Sequence, residues 1–281
     1  MTANLLELLG LPEGTRALLI SCSGLGMSHA ANQGVYASLR LGVASAAAIM
    51  VPCPWARDAA RRYQGDDIGV QLTVNAEYDT YRWAPITMAP SLLDGDGGFP
   101  RTVDDLWDHA DVDELRRECR AQLQRAEQWG VDVTHLSSHL DALTLRPEFY
   151  DVYLDLAVEQ GLPIRLPEAT QEQRVQFPIR ELAAEAGVLH ADRVVSLRTE
   201  GSRTALLEGL RSLEPGVTEV RLRPAVDSSE LRAYAPDWSS RVEDHNLATG
   251  DAELDAVLNG FRRIGYRTLR DAQRAKSRNN S

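Results

Sequence analysis

Short apolar runs alternate with helix-length stretches along almost the whole chain, and this alternation limits the fold more than any other feature. The runs predict strands at 17–23, 44–51, 68–74, 131–137, 163–166, 194–197 and 218–222. Between them, apolar residues spaced by three and four predict helices at 29–40, 55–63, 113–129, 147–159, 202–213 and 252–264. That rhythm is the one βα units produce, so the expected fold is α/β, with parallel strands and outer helices, open or closed into a barrel. A length of 281 residues is ample for a substantial core. The chain is read as a single domain over 1–281, with a polar tail at 274–281 expected to fray.

Charge and patterning exclude several classes of partner. A formal charge of -11 argues against nucleic acid, whose phosphates require clustered cations. No apolar run approaches the ~20 residues of a membrane helix, so no membrane span is expected. The opening MTANLLELLGLPEGTR lacks a basic segment followed by an apolar one, and a cytoplasmic location is the expectation. Cys22, Cys53 and Cys119 stand at unrelated spacings and suggest neither a disulfide framework nor a zinc knuckle. Cys119 shares a helical stripe with Leu115, Leu123 and Ala126 and is read as core.

One region breaks the rhythm. Residues 75–101 are rich in turn formers and aromatics, and a loop of this length is expected at a pocket mouth. Within it DGDGG is read as a tight turn, since an EF-hand would need a glycine and a glutamate at places where none stands.

Four segments carry the chemistry: ISCSGLGMS at 20–28, IGVQLTVN at 68–75, THLSSHLDAL at 134–143 and VRLRPAVD at 220–227. In this order, with AAAIMVPCPW at 46–55, YRWAP and SLLD in the loop and LRAYAPDW near the C-terminus, the chain resembles the YdjC-like family of carbohydrate deacetylases. The resemblance implies a TIM-barrel-like β/α fold and a homodimer. It also implies a divalent metal site with paired aspartates ending the first strand, one histidine on the third and another in an Asp-Ser-His motif. This sequence departs from that pattern. Ser23 stands where the base aspartate would be, Gly24 where the metal-binding aspartate would be, and Gln71 where the first histidine would be. His139 keeps the second histidine, Ser137 replaces the aspartate before it, and Arg223 stands where a histidine is common. One imidazole does not hold a catalytic divalent ion, which takes about three protein ligands. No metal and no cofactor are therefore expected.

The pocket itself is expected to survive. His139 is read as a general acid or base, Asp141 as its orienter and Ser23 as a hydroxyl source. If the strand continues, His135, Ser137, His139 and Asp141 share one face, while Cys22 points away from Ser21 and Ser23 into the core. His135 at mid-strand is read as a core residue. Gln71, Ser137, Arg223, Tyr81, Arg82 and Trp83 are the expected ligand contacts, Arg223 to an anion and the aromatics by stacking. For Arg223 an ion pair with Asp227 or a helix end is the alternative, and for Trp83 loop anchoring. Three functions stay open: a metal-independent enzyme on a small molecule, a non-catalytic binding protein, and a deacetylase with a rearranged metal site.

Overall fold

The computed structural model describes residues 4–175, 177–196 and 202–279. Its centre is one parallel sheet. The strands are β1 (Arg16–Leu25), β2 (Ala46–Ile49), β3 (Ile68–Leu72), β4 (Val133–Ser138), β5 (Arg193–Ser196), β6 (Gly216–Leu222) and β7 (Arg262–Arg263). Their order across the sheet is β4-β3-β2-β1-β6-β5, and the short β7 pairs with the start of β1. Beyond β4 the curl continues through single links: Leu136 bridges Ile164, and the Ile164 N–H donates to the Leu189 carbonyl at 3.0 Å. The result is a half-barrel surrounded by helices, the α/β, TIM-barrel-like fold expected. The run at 163–166 supplies only that bridge, and Leu197 lies outside the described residues.

Alternation along β1 separates two apolar clusters. Leu18, Ile20 and Cys22 face the helical layer, while Ala17 and Leu19 join Tyr266 and Leu269 inside the curl. Each fully buried Leu or Ile side chain contributes about 1.5–3 kcal/mol, so this inward–outward assignment is strongly enforced. The interior also holds polar groups. Glu219 accepts hydrogen bonds from Ser21 Oγ and, at 2.7 Å, from Tyr266 OH. His135 stacks on Tyr266 with ring centroids 3.7 Å apart. Gly69 lies against that imidazole, where a Cβ would collide with it.

Two boundaries differ most from expectation. The helix expected over 252–264 spans Ala252–Leu258, and β7 follows it. The tail expected to fray from residue 274 is helical through Asn279, in a helix spanning Tyr266–Asn279. Its buried stripe is half polar: Tyr266 and Leu269 alternate with Arg270 and Gln273. Arg270 bonds the Val133 carbonyl and Asp132, and Gln273 accepts the Leu189 N–H. An apolar periodicity is therefore missing from a helix that is well anchored.

The long segment 75–101 is fastened to its neighbours. Glu118, buried in the helix Val112–Gln128, accepts from the N–H groups of Ile86 and Thr87, from Thr87 Oγ1 and from Gln122 Nε2. Asp94 Oδ1 accepts from the N–H groups of Asp96 and Gly98, so DGDGG is the tight turn expected. Among the described residues no helix is long and apolar enough to cross a membrane.

Candidate active site

A cavity of about 320 Å³ opens at the C-terminal ends of the strands, the end at which barrel folds carry their chemistry. Ser23 and Gly24 reach it from β1, Gln71 from β3, His139 and Asp141 from just after β4, and Arg221 and Arg223 from the end of β6. Five of the predicted site residues thus come together: Ser23, Gln71, His139, Asp141 and Arg223. Glu77, Glu168 and Arg241, which sequence reasoning did not single out, line the same cavity.

His139 is held from two sides. Its Nε2 lies 2.9 Å from Glu77 Oε2, and its Nδ1 lies 3.2 Å from Gln71 Nε2. The orienting carboxylate is therefore Glu77, which corrects the expectation for Asp141. Strand parity fails here because β4 ends at Ser138. Leu140 and Asp141 then take φ values of 53° and 55°, in the left-handed region. That turn aims Asp141 Oδ2 at Arg221 Nη1, 3.4 Å away. Burial alone would raise the Glu77 carboxyl. The attraction and hydrogen bond of His139, together with a backbone hydrogen bond and the Arg241 charge, outweigh it and hold Glu77 below the usual carboxylate range.

Ser23 faces the cavity with a cation behind it. Arg165, buried after Ile164, donates through Nη1 to Ser23 Oγ at 3.1 Å and through Nη2 to the Ser138 carbonyl at 2.9 Å. An arginine within the apolar run PIRL was the available signal for it. Cys22 points into the core as expected, and burial with the nearby Asp244 pushes its thiol far up. His135 is the expected core residue, with burial and Arg165 pushing it well below the usual histidine range.

The other expected ligand contacts are committed elsewhere. Arg223 lines the cavity, yet its Nη1 lies 2.7 Å from Asp237 Oδ2, while Asp227 pairs with Arg232. It is thus tied to the start of a helix. Ser137 is buried with an unpartnered Oγ and does not line the cavity. Tyr81 OH donates to the Met27 carbonyl at 2.6 Å, and its ring stacks on Tyr234. Arg82 donates to the carbonyls of Ala76 and Phe99 and pairs with Asp94. Trp83 Nε1 donates to the Asn75 carbonyl at 2.7 Å, and its ring meets His139 edge-on at 6.3 Å. These three hold the wall behind the cavity; none lines it, which corrects the expectation of ligand stacking.

The residues present do not fit the divalent ion that the resemblance implies. Gly24 has no side chain and sits at φ +90°, a conformation strained for aspartate. Both nitrogens of His139 already face protein partners. The Arg165 guanidinium contacts Ser23, where the base carboxylate would stand. Among the described residues no group of three or more His, Cys, Asp or Glu is arranged to hold a metal ion.

Comparisons with known proteins point one way. A family model described as YdjC-like protein matches residues 17–259. The carbohydrate deacetylase of Thermus thermophilus is 34% identical over 274 residues, covering 96% of this chain and 99% of that protein. The chitooligosaccharide deacetylase of Serratia marcescens is 28% identical over 184 residues, covering 61% of this chain and 69% of that one. Among solved structures, a candidate cellobiose-phosphate cleavage protein from Enterococcus faecalis superposes with a TM-score of 0.79. It is 22% identical and covers 91% of this chain and 99% of its own, a likeness of fold.

Proposed function

The chain belongs to the YdjC-like protein family, and from that premise we propose that it is a metal-independent enzyme acting on a carbohydrate or a similar small molecule, with His139 moving protons. The observation that carries this reading is the His139–Glu77 pair at 2.9 Å on the cavity wall. With a carboxylate as acceptor, Nε2 keeps its proton and Nδ1 is left as the basic atom. Nδ1 faces the Gln71 amide, which a ligand hydroxyl or a water can displace.

Relatives named carbohydrate deacetylase support an acetylated sugar as the first substrate to try. In that reaction water adds to the acetyl carbon as Nδ1 takes its proton. The same proton passes to the leaving nitrogen as the C–N bond breaks. Acid–base help of this kind is worth about 10²–10⁴-fold. The test is acetate release from N-acetylated chitooligosaccharides by chelator-treated protein. Release without added metal, lost in His139→Gln, is expected; release only after zinc is added would refute the reading. The engagement of both His139 nitrogens favours a second reading, a binding protein. A sugar that binds and is recovered unchanged would select it.

A further inference from the structure

The cation behind Ser23 has no part in the acid–base reading. Only 2% of Arg165 is exposed. Among the described residues its hydrogen bonds end on two neutral oxygens, Ser23 Oγ and the Ser138 carbonyl, and its Nε has no partner. Burial and the neighbouring Arg221 disfavour its charged form and outweigh the attraction of the Asp141 and Glu219 carboxylates, neither of which it hydrogen-bonds. A buried guanidinium whose hydrogen bonds all go to neutral groups is costly, and a further counter-charge brought by a ligand would reduce that cost.

Ser23 gives that charge a route to the cavity. Its Oγ accepts from Arg165, so its own O–H is left to donate, and Ser23 lines the cavity. Arg221 lines the same cavity and approaches Asp141 only at 3.4 Å through one Nη, leaving further donors on its fork. On the same wall, Gln71 is buried with an unpartnered Oε1, an acceptor available to a ligand hydroxyl.

We propose that Arg165 is the built-in cation of this cavity, and that the Ser23 hydroxyl it holds and the Arg221 guanidinium together bind a carboxylate on the ligand. Arg165 acts through Ser23 and is a positioning residue. The inference rests on reading the cavity as a carbohydrate site and narrows the ligand to an acidic sugar. A monoanion suits the site better than a dianion, because Glu77, Asp141 and Glu168 line the same cavity and would repel a second negative charge.

The test is calorimetric binding of glucuronate, glucuronate methyl ester and glucose 6-phosphate to the chelator-treated full chain. Glucuronate is expected to bind about 10-fold or more tighter than its ester, the loss expected for one charge-assisted contact. Ser23→Ala and Arg165→Met should each abolish that preference, and Arg165→Lys should restore part of it by returning the charge. Ser23→Ala removes a single hydroxyl and keeps the test decisive where Arg165→Met fails to fold. Equal affinity for acid and ester, or a preference that survives Ser23→Ala, overturns the carboxylate site and leaves the carbohydrate reading standing. Tighter binding of glucose 6-phosphate than of glucuronate overturns the choice of a monoanion. Failure of all three to bind overturns both readings.

Discussion

Replacing Glu77 by Gln isolates the charge that orients His139. The variant keeps an oxygen able to accept from Nε2 but loses the negative charge 2.9 Å away. The two side chains are only 7% and 23% exposed, so solvent screening is limited. A charge-assisted hydrogen bond contributes about 1.5–3 kcal/mol and a neutral one about 1 kcal/mol, so the expected loss is about 1–2 kcal/mol. At roughly 2–4 °C per kcal/mol for a domain of this size, Tm at pH 7 should fall by about 2–8 °C. The pH dependence gives an independent check. Glu77 is held below its ordinary 4.5 in the folded state, so its contribution is present above that pH and lost as pH falls through the lower folded value. The gap between wild type and Glu77→Gln, read by urea unfolding across a pH series, should therefore narrow below about pH 4.5. An unchanged Tm at pH 7, or a gap constant down to pH 3, would show that the pair is not the charged contact described.

Other perturbations test the frame around the site. Glu118→Gln turns an amide against four donors and should cost about 2–4 kcal/mol, read by urea unfolding, with faster proteolysis in 75–101. Gly24→Asp, which introduces the acid that the resemblance implies there, should destabilise by about 1–2 kcal/mol because of its left-handed φ. It should also leave zinc titration calorimetry silent; tight zinc binding would contradict the misfit argued for this site. Burial pushes the Asp244 carboxyl up to about 6, from an ordinary 3.8. A raised folded value means stability is lost as pH rises between those limits, by roughly 2–4 kcal/mol. Asp244→Asn should lack that loss, and identical pH profiles would count against it.

Much of the site was legible because motifs at strand ends stay together when strands run parallel. Ser23, Gln71 and His139 belong to different strand ends, and the register that sets Gln71 beside Ser137 brings them to one rim. The misses share one cause, since the role of a charged residue depends on which group it meets. By sequence Glu77 is one more acid in a loop, and the partner of Asp141 lies 80 residues away in Arg221. The loop aromatics were chosen by type, but the backbone carbonyls that claim Tyr81 and Trp83 are invisible in a one-dimensional pattern.

What the sequence determined by itself is the parallel α/β frame and the inward and outward faces of β1. These follow from local periodicity and from residue identity, which need no distant partner. Only the tertiary structure decided that Glu77 orients His139, that Asp141 answers Arg221, and that Arg165 stands behind Ser23, a contact spanning 142 residues of chain. Hydrogen bonds and ion pairs act over a few ångströms, and the curl of the sheet determines which side chains come within that reach.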